Sequence, residues 1–222
     1  MRCLALSLCL FALLPATASA GPWPREPGEM FTAVTGTYRY APEIDRIGSD
    51  GGVYLEYGLS DRVTLGFDAM DDPDGYSHAY GFLRWPLPDR DRALKLAFHL
   101  GAGASRQGQD WGRMTRLGLN MGRSTAFLRP GWWTLTAALE DHALLDAPVY
   151  KLDATVGLQL LPRLKTFLDV ETSQSAHTPD SVTLRGSVAW QSGPGTHFTL
   201  GIETRKSDAR FLGLRLGLWR AF

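Results

Sequence analysis

The stretch from Phe211 to Phe222, FLGLRLGLWRAF, decides the fold of this chain. Leucine occupies positions 212, 214, 216 and 218, glycine or arginine fills the positions between them, and Trp219 follows the last leucine. A period of two is typical of a β-strand that has one apolar face and one mostly polar face. We therefore expect the chain to end as the last strand of a sheet whose two faces meet different surroundings.

The same alternation recurs along the chain in segments of about ten residues, the length at which a tilted strand crosses a membrane. In one example, Val53, Leu55 and Tyr57 alternate with Tyr54 and Glu56. We predict twelve strands, with ten as the alternative count, at 29–40, 51–59, 62–70, 76–85, 92–103, 113–124, 132–141, 148–160, 164–173, 181–191, 196–205 and 209–222.

The connections between these strands alternate between two kinds. Tight turns rich in proline or glycine, such as the one at 193–195, alternate with longer loops, such as the one at 41–50. An even number of strands places both termini at one end of the sheet, together with the tight turns. The sequence therefore predicts an all-β fold, a closed antiparallel up-and-down transmembrane β-barrel of about twelve strands.

The N-terminal segment has the features of a secretory signal peptide. Arg2 precedes an apolar run over 4–14, and Ala18, Ser19 and Ala20 fit the small residues of a cleavage site. We expect residues 1–20 to be the signal peptide, residues 21–28 to be a periplasmic lead-in, and residues 29–222 to be the barrel.

Composition excludes several other classes of protein. Cys3 and Cys9 both lie in the predicted signal peptide, so a disulfide framework is not expected. The 23 basic and 23 acidic residues cancel, which argues against a nucleic-acid partner. A secreted soluble barrel or sandwich is the competing fold, but the second face of the strands is largely Gly, Thr, Ser and Ala with scattered charges, which suits the lumen of a membrane barrel.

Tryptophan placement supports the predicted topology. The residues Trp85, Trp132, Trp133, Trp190 and Trp219 all fall at strand ends on the side that carries the termini. Together with Phe222 they would form an aromatic girdle at one membrane interface, where amphipathic rings are favoured.

Two segments resemble known outer-membrane sequences. The hairpin YLEYGLSDRVTLG at 54–66 resembles one found in transporter-like outer-membrane proteins of proteobacteria, including a family associated with phenol-degradation pathways. The last strand resembles the signal read by the barrel-assembly machinery, with Arg220 where an apolar residue is usual. The resemblance implies a Gram-negative outer-membrane barrel whose partners are outer-membrane lipid, lipopolysaccharide and that machinery. It implies no cofactor, and we expect a monomer.

Alternation also predicts which charged side chains face the lumen. Candidates at mid-strand positions are Lys95, Arg116, Lys151, Asp153, Asp169 and Arg185. Acidic and basic residues are balanced on this face, which fits either a barrel braced by ion pairs or a narrow channel. The sequence thus predicts a passive channel for small or hydrophobic solutes. The alternative is a non-conducting structural or adhesive envelope barrel.

Catalytic and metal sites find little support in the sequence. The five histidines, at positions 78, 99, 142, 177 and 197, are isolated, and no Gly-x-Ser-x-Gly element accompanies them, so we predict no catalytic residue. A lipid-modifying enzyme is the third alternative and would need a serine and a histidine adjacent on the lipid-facing side. Asp71, Asp72 and Asp74 are weak candidates for a Ca²⁺ site, because their spacing does not fit an EF-hand and suits a solvated turn.

Overall fold

A computed structural model describes residues 21–72, 75–87, 93–126, 129–176 and 178–222, and these residues form an all-β fold. Twelve strands follow one another along the chain: β1 Met30–Ala41, β2 Arg46–Ser60, β3 Val63–Asp71, β4 Tyr76–Pro86, β5 Leu94–Gln107, β6 Asp110–Thr125, β7 Gly131–His142, β8 Val149–Leu161, β9 Leu164–Ser175, β10 Thr178–Gly193, β11 Thr196–Lys206 and β12 Arg210–Ala221. No described residue belongs to a helix long and apolar enough to cross a membrane.

The strands close into a single antiparallel barrel. Every strand pairs with its neighbours in sequence, and β12 returns to pair with β1, from Phe31 opposite Ala221 to Tyr40 opposite Leu212. The predicted fold class is therefore confirmed. We call the end where β1 begins and β12 ends the proximal end, and the opposite end the distal end.

Several strands extend further at the distal end than the sequence pattern predicts. The predicted loop over 41–50 is mostly strand, because Arg46–Asp50 continues the pairing of β2 with Thr37–Ala41 of β1. Strand β10 likewise begins at Thr178 rather than at residue 181. These extensions are mostly polar, so no hydrophobic alternation predicted them.

The outside of the barrel is a belt of exposed apolar side chains. Leu200 of β11 is 47% exposed, and its cross-strand partner Leu216 of β12 is 57% exposed. The other members of the belt include Val53, Leu65, Phe67, Leu117, Leu119, Leu152, Val156, Leu168, Val182, Leu184, Ile202, Leu212 and Leu214. A continuous apolar belt on this scale is unlike the surface of a water-soluble monomer and has the character of a lipid-facing surface.

The predicted aromatic girdle is only partly right. Trp190 is 54% exposed on the outward face, but Trp132 and Trp219 point inward and line the lumen. The physical reason lies in the alternation itself, since Trp219 shares the polar face of β12 with Arg215 and lies opposite the leucines.

Candidate functional site

The interior of the barrel holds one large cavity of about 1020 Å³. Arg205 and Asp208 line it at the distal end, whereas Trp132 and Trp219 line it near the proximal end. Acidic and basic side chains contribute equally to its lining. A charge-balanced cavity that follows the bore is the feature of the described residues best suited to hold or pass a solute.

The structure places most of the predicted lumen residues on this cavity. Five of them line it, namely Arg116, Lys151, Asp153, Asp169 and Arg185. Lys95 lies near the proximal end of β5, opposite Gly122 of β6, and is not part of the cavity lining. Sequence reasoning omitted Arg39 from these candidates, although it shares the inward face of β1 with Thr35 and Thr37.

A first ion-pair network joins β1, β2, β9, β10 and β11. At its centre is Glu203, whose carboxylate accepts from Nε of Arg39 at 2.5 Å and from Nε of Arg185 at 2.7 Å. Arg39 also pairs with Asp50 of β2, and Nη1 of Arg185 lies 2.8 Å from Oε1 of Glu171. The network ties strands that are distant in sequence and fixes both arginines against one wall of the cavity.

A second network lies on the opposite wall around Glu140 of β7. Arg116 donates to Glu140, and Nζ of Lys151 lies 3.3 Å from Oε2 of the same carboxylate. Arg116 also donates from Nε to Nε2 of His99 at 3.1 Å. Both cations are thus held by one buried carboxylate, which is 1% exposed.

A third network lies nearer the proximal end and is centred on Glu56 of β2. Its carboxylate accepts from Nη1 of Arg84 at 2.5 Å and from Nε of Arg25 at 2.6 Å. The hydroxyl of Tyr54 donates to the same carboxylate at 2.5 Å. All three partners of this carboxylate are buried or half-buried, so the network is a rigid part of the wall.

The lead-in lies inside the barrel. Residues 21–29, which we call the N-terminal strap, enter the proximal end of the bore: the amide of Gly28 donates to the carbonyl of Gly58 at 2.8 Å, and Arg25 reaches Glu56. Pro22 is buried, and a Cβ at Gly122 of β6 would lie 2.8 Å from its ring. The strap therefore crosses from the β2 wall to the β6 wall and narrows the proximal end.

Four aromatic side chains continue this closure on the other side of the bore. The aromatic arc consists of Phe31, Trp132, Phe167 and Trp219, all of which line the cavity. The rings of Phe167 and Trp219 stack with centroids 5.3 Å apart, and Phe31 meets Trp219 edge-on at 6.4 Å. Together with the strap, the arc forms the inner floor of the cavity.

One serine and one histidine do come together, which sequence reasoning missed. Oγ of Ser105 on β5 lies 2.9 Å from Nδ1 of His142, and Nε2 of His142 lies 3.2 Å from Oε2 of Glu140. The sequence-based description of His142 as isolated was therefore wrong, because strand register joins residues far apart in the chain. A nucleophile must reach its substrate, and Ser105 is fully buried on the inward face, with 0% of its surface exposed.

The acidic cluster is built as a braced turn. Asp71 accepts from Nη2 of Arg106 at 3.0 Å and from Oγ of Ser77 at 2.7 Å. Asp74 lies outside the described residues. No group of three potential metal-ligating side chains occurs within the described ranges.

At the distal rim, a hydrogen bond from Ser207 keeps the pKa of Asp208 below its usual value.

The fold resembles that of solved outer-membrane porins. A structure described as the KdgM porin matches with a TM-score of 0.62 and 7% identity, covering 86% of this chain and 99% of that chain. The NanC porin matches with a TM-score of 0.65 and 7% identity, covering 84% of this chain and 98% of that chain. No protein-family model and no curated protein matches the sequence. At these identities the likeness shows the fold alone, a closed β-barrel like those of the two porins.

Proposed function

We propose that the chain is a passive channel of the Gram-negative outer membrane for small or hydrophobic solutes. The observation that carries the proposal is a cavity of about 1020 Å³, lined by charged side chains of both signs, along the bore of a barrel whose exterior is apolar. A barrel with this exterior is stable in lipid, and its cavity supplies a polar route through the hydrocarbon layer.

In this proposal the proximal end faces the periplasm and the distal end faces the outside. The start of β1, the end of β12 and the described tight turns lie at the proximal end, and bacterial barrels usually have that end in the periplasm. Strand β12, which closes the barrel against β1, would be the segment read by the barrel-assembly machinery. The outer-membrane partners would be lipid and lipopolysaccharide, and residues 1–20 would be the cleaved export signal.

Because the charges in the cavity are balanced, we expect the channel to select weakly between ions and to discriminate between solutes by size and polarity. A pore with rings of one charge sign selects strongly for the opposite ion. Here Arg185 is matched by Glu203 and Glu171, and Arg116 is matched by Glu140. The hairpin at 54–66, with its resemblance to a transporter-like family associated with phenol degradation, supports hydrophobic solutes as the first to be tested.

The experiment is single-channel recording of refolded residues 21–222 in a planar bilayer. We expect discrete, reproducible conductance steps with a reversal potential near zero in a salt gradient. Arg185→Ala should shift the reversal potential towards cation selectivity, because Glu203 and Glu171 would lose a partner. Lys206→Ala at the exposed distal end is the matched control, since it removes the same charge outside the cavity lining.

A non-conducting braced barrel is the second candidate, favoured by the strap and the arc at the proximal end. Arg25 and Pro22 of the strap are both buried, as is Phe31 of the arc. If protein verified as a folded barrel gave no conductance, the braced barrel would replace the channel. The outer loops would then be the segments through which a structural or adhesive role operates.

A further inference from the structure

We propose that the inner part of the cavity, between Arg215 and the aromatic arc, is a binding site for a small aromatic carboxylate. The site rests on the proposed function only for the route by which its ligand arrives. Two features of the described residues carry the inference: a set of ring faces on the cavity floor, and an arginine that forms no ion pair within the described ranges.

The ring faces come from the arc. The indole of Trp132 lies over Gly157 of β8, where an added Cβ would be 2.2 Å from Cζ2. Glycine at this position lets the ring lie flat against the wall, so that its other face borders the cavity. Phe167 and Trp219 extend the surface across the bore, with their rings 30° from parallel. Flat apolar surfaces of this kind bind aromatic rings by offset or edge-to-face stacking.

The charge comes from Arg215, which points inward from β12 and lines the cavity. Its Nη2 donates to Oγ1 of Thr35 at 3.0 Å, and within the described ranges no carboxylate oxygen lies close enough to form an ion pair with it. Arg39 on the adjoining strand β1 and Arg185 on β10 differ in this respect, because each pairs with Glu203 and with a further carboxylate. A guanidinium has five N–H donors, so Arg215 keeps donors for a bidentate carboxylate.

Strand geometry relates the two features. Arg215 and Trp219 lie on the same face of β12, and their Cα atoms are about 13 Å apart at the usual strand rise. Gly217 lies between them and contributes no side chain. The side chains of Thr199 and Thr35 cover this glycine, so the length of wall that a ring and its acid group would occupy is lined by threonines.

The guanidinium of Arg215 itself favours an anion over a cation as its direct partner. Oε1 of Glu171 lies 2.8 Å from Nη1 of Arg185, and Oδ2 of Asp169 lies 3.7 Å from the same atom. Both carboxylates are therefore drawn towards Arg185, and neither forms an ion pair with Arg215. A carboxylate ligand would neutralise Arg215, whereas an ammonium ligand would add to its charge.

The test is a ¹⁹F NMR titration of refolded residues 21–222 in detergent micelles with 4-fluorobenzoate. We expect saturable binding that Arg215→Gln weakens at least about tenfold, the size expected when a charge-assisted hydrogen bond is lost. Arg205→Gln is the matched control: it removes the same charge from another cavity-lining arginine, near the distal rim, and should change the affinity less than about twofold.

Two further comparisons separate the site from general partitioning into the micelle. Trp219→Leu should weaken binding, while Trp190→Leu, which removes an indole from the outward face, should not. With 4-fluorobenzylamine we expect much weaker binding than with 4-fluorobenzoate. Equal binding of the amine, or an affinity for the benzoate that Arg215→Gln leaves unchanged, would overturn the proposal.

A second variant keeps the test decisive if Arg215→Gln does not fold. Gly157→Ala would displace Trp132 and leave Arg215 in place, so it should also weaken benzoate binding, whereas Gly186→Ala meets no atom within 4 Å and should not. The NMR titration does not require transport. Benzoate binding without conductance would support the binding site and refute the channel. Conductance without benzoate binding would support the channel and refute the binding site.

Discussion

Arg25 of the N-terminal strap and Glu56 of β2 form a buried ion pair, with Nε of Arg25 2.6 Å from Oε2 of Glu56. The backbone amide of Arg25 also donates to Oγ1 of Thr64 at 3.2 Å. This pair fastens the strap to the barrel wall across the proximal end. Because Arg84 holds the same carboxylate, the wall keeps a partner for Glu56 even when the strap is released.

Arg25→Ala should therefore increase the single-channel conductance without unfolding the barrel. The strap would lose its ion pair with Glu56 and could leave the bore, whereas the Arg84–Glu56 pair would persist. Planar-bilayer recording of refolded residues 21–222 provides the measurement. Glu26→Gln is the control, because Glu26 belongs to the same segment and is exposed. Equal conductance in Arg25→Ala and in the unmodified protein would show that the strap does not limit the bore.

Removing Glu56 itself should have a much larger effect on stability. Its side chain is 0% exposed, and Glu56→Ala would leave Arg25 and Arg84 buried without their shared carboxylate. Such a change costs about 3–5 kcal/mol of the free energy of unfolding. Denaturant unfolding in lipid vesicles, followed by tryptophan fluorescence, measures the loss.

Asp71→Ala is the control for Glu56→Ala in the same unfolding measurement. Asp71 also pairs with an arginine, Arg106, but its side chain is 67% exposed. Asp71→Ala should therefore cost less than about 1 kcal/mol. If both substitutions had the same small effect, the network around Glu56 would not be a structural brace.

The architecture was predictable because a period of two is a direct consequence of strand geometry. Leu212 to Leu218 could be assigned to one face from the sequence, and the same rule gave all twelve strands. The alternation in β12 also predicts that Trp219 points inward. Because Trp219 lies at a strand end, however, we assigned it to the aromatic girdle. Its partner in the arc, Phe167, belongs to β9, and only the closed barrel brings the two rings together.

The ion pairs were not predictable in the same way. Arg39 and Glu203 are 164 residues apart, and they meet because β12 lies between β1 and β11 in the closed barrel. The long side chain of Arg39 reaches past the intervening strand, and no local sequence pattern predicts a contact across a whole strand. The strap was equally hidden, because proline and glycine at 21–28 predict only an irregular segment and not its entry into the bore.

A charged side chain on the apolar outer belt should lower the free energy of unfolding only when the barrel is in lipid. Leu200 lies mid-strand on the outward face of β11, and Leu200→Arg would place a guanidinium in the hydrocarbon layer. The expected loss is about 2–4 kcal/mol for unfolding from lipid vesicles. Ser181→Arg is the control, because Ser181 of β10 lines the cavity. A larger loss for Ser181→Arg than for Leu200→Arg would mean that the two faces have been assigned the wrong way round.

The close contact between Gly66 of β3 and Phe82 of β4 gives a prediction about the wall itself. A Cβ at Gly66 would lie 2.0 Å from Cζ of Phe82, so Gly66→Ala must push the ring away from the sheet. The ring has little room to move, since it is 5% exposed and its centroid lies 5.9 Å from that of Tyr54. Overpacking of this kind costs about 1–3 kcal/mol in the free energy of unfolding.

The matched control for this contact is Gly186→Ala on β10, where the added methyl meets no atom within 4 Å. It should change the free energy of unfolding by no more than about 0.5 kcal/mol. Denaturant unfolding of both variants in the same vesicles gives the comparison. The guanidinium of Arg84 lies over the ring of Phe82, with 5.4 Å between the guanidinium carbon and the ring centroid. Displacement of the ring should therefore also loosen the pairing of Arg84 with Glu56. Gly66→Ala should then lose much of its extra cost in a Glu56→Gln background, and strictly additive effects would show that ring and ion pair act independently.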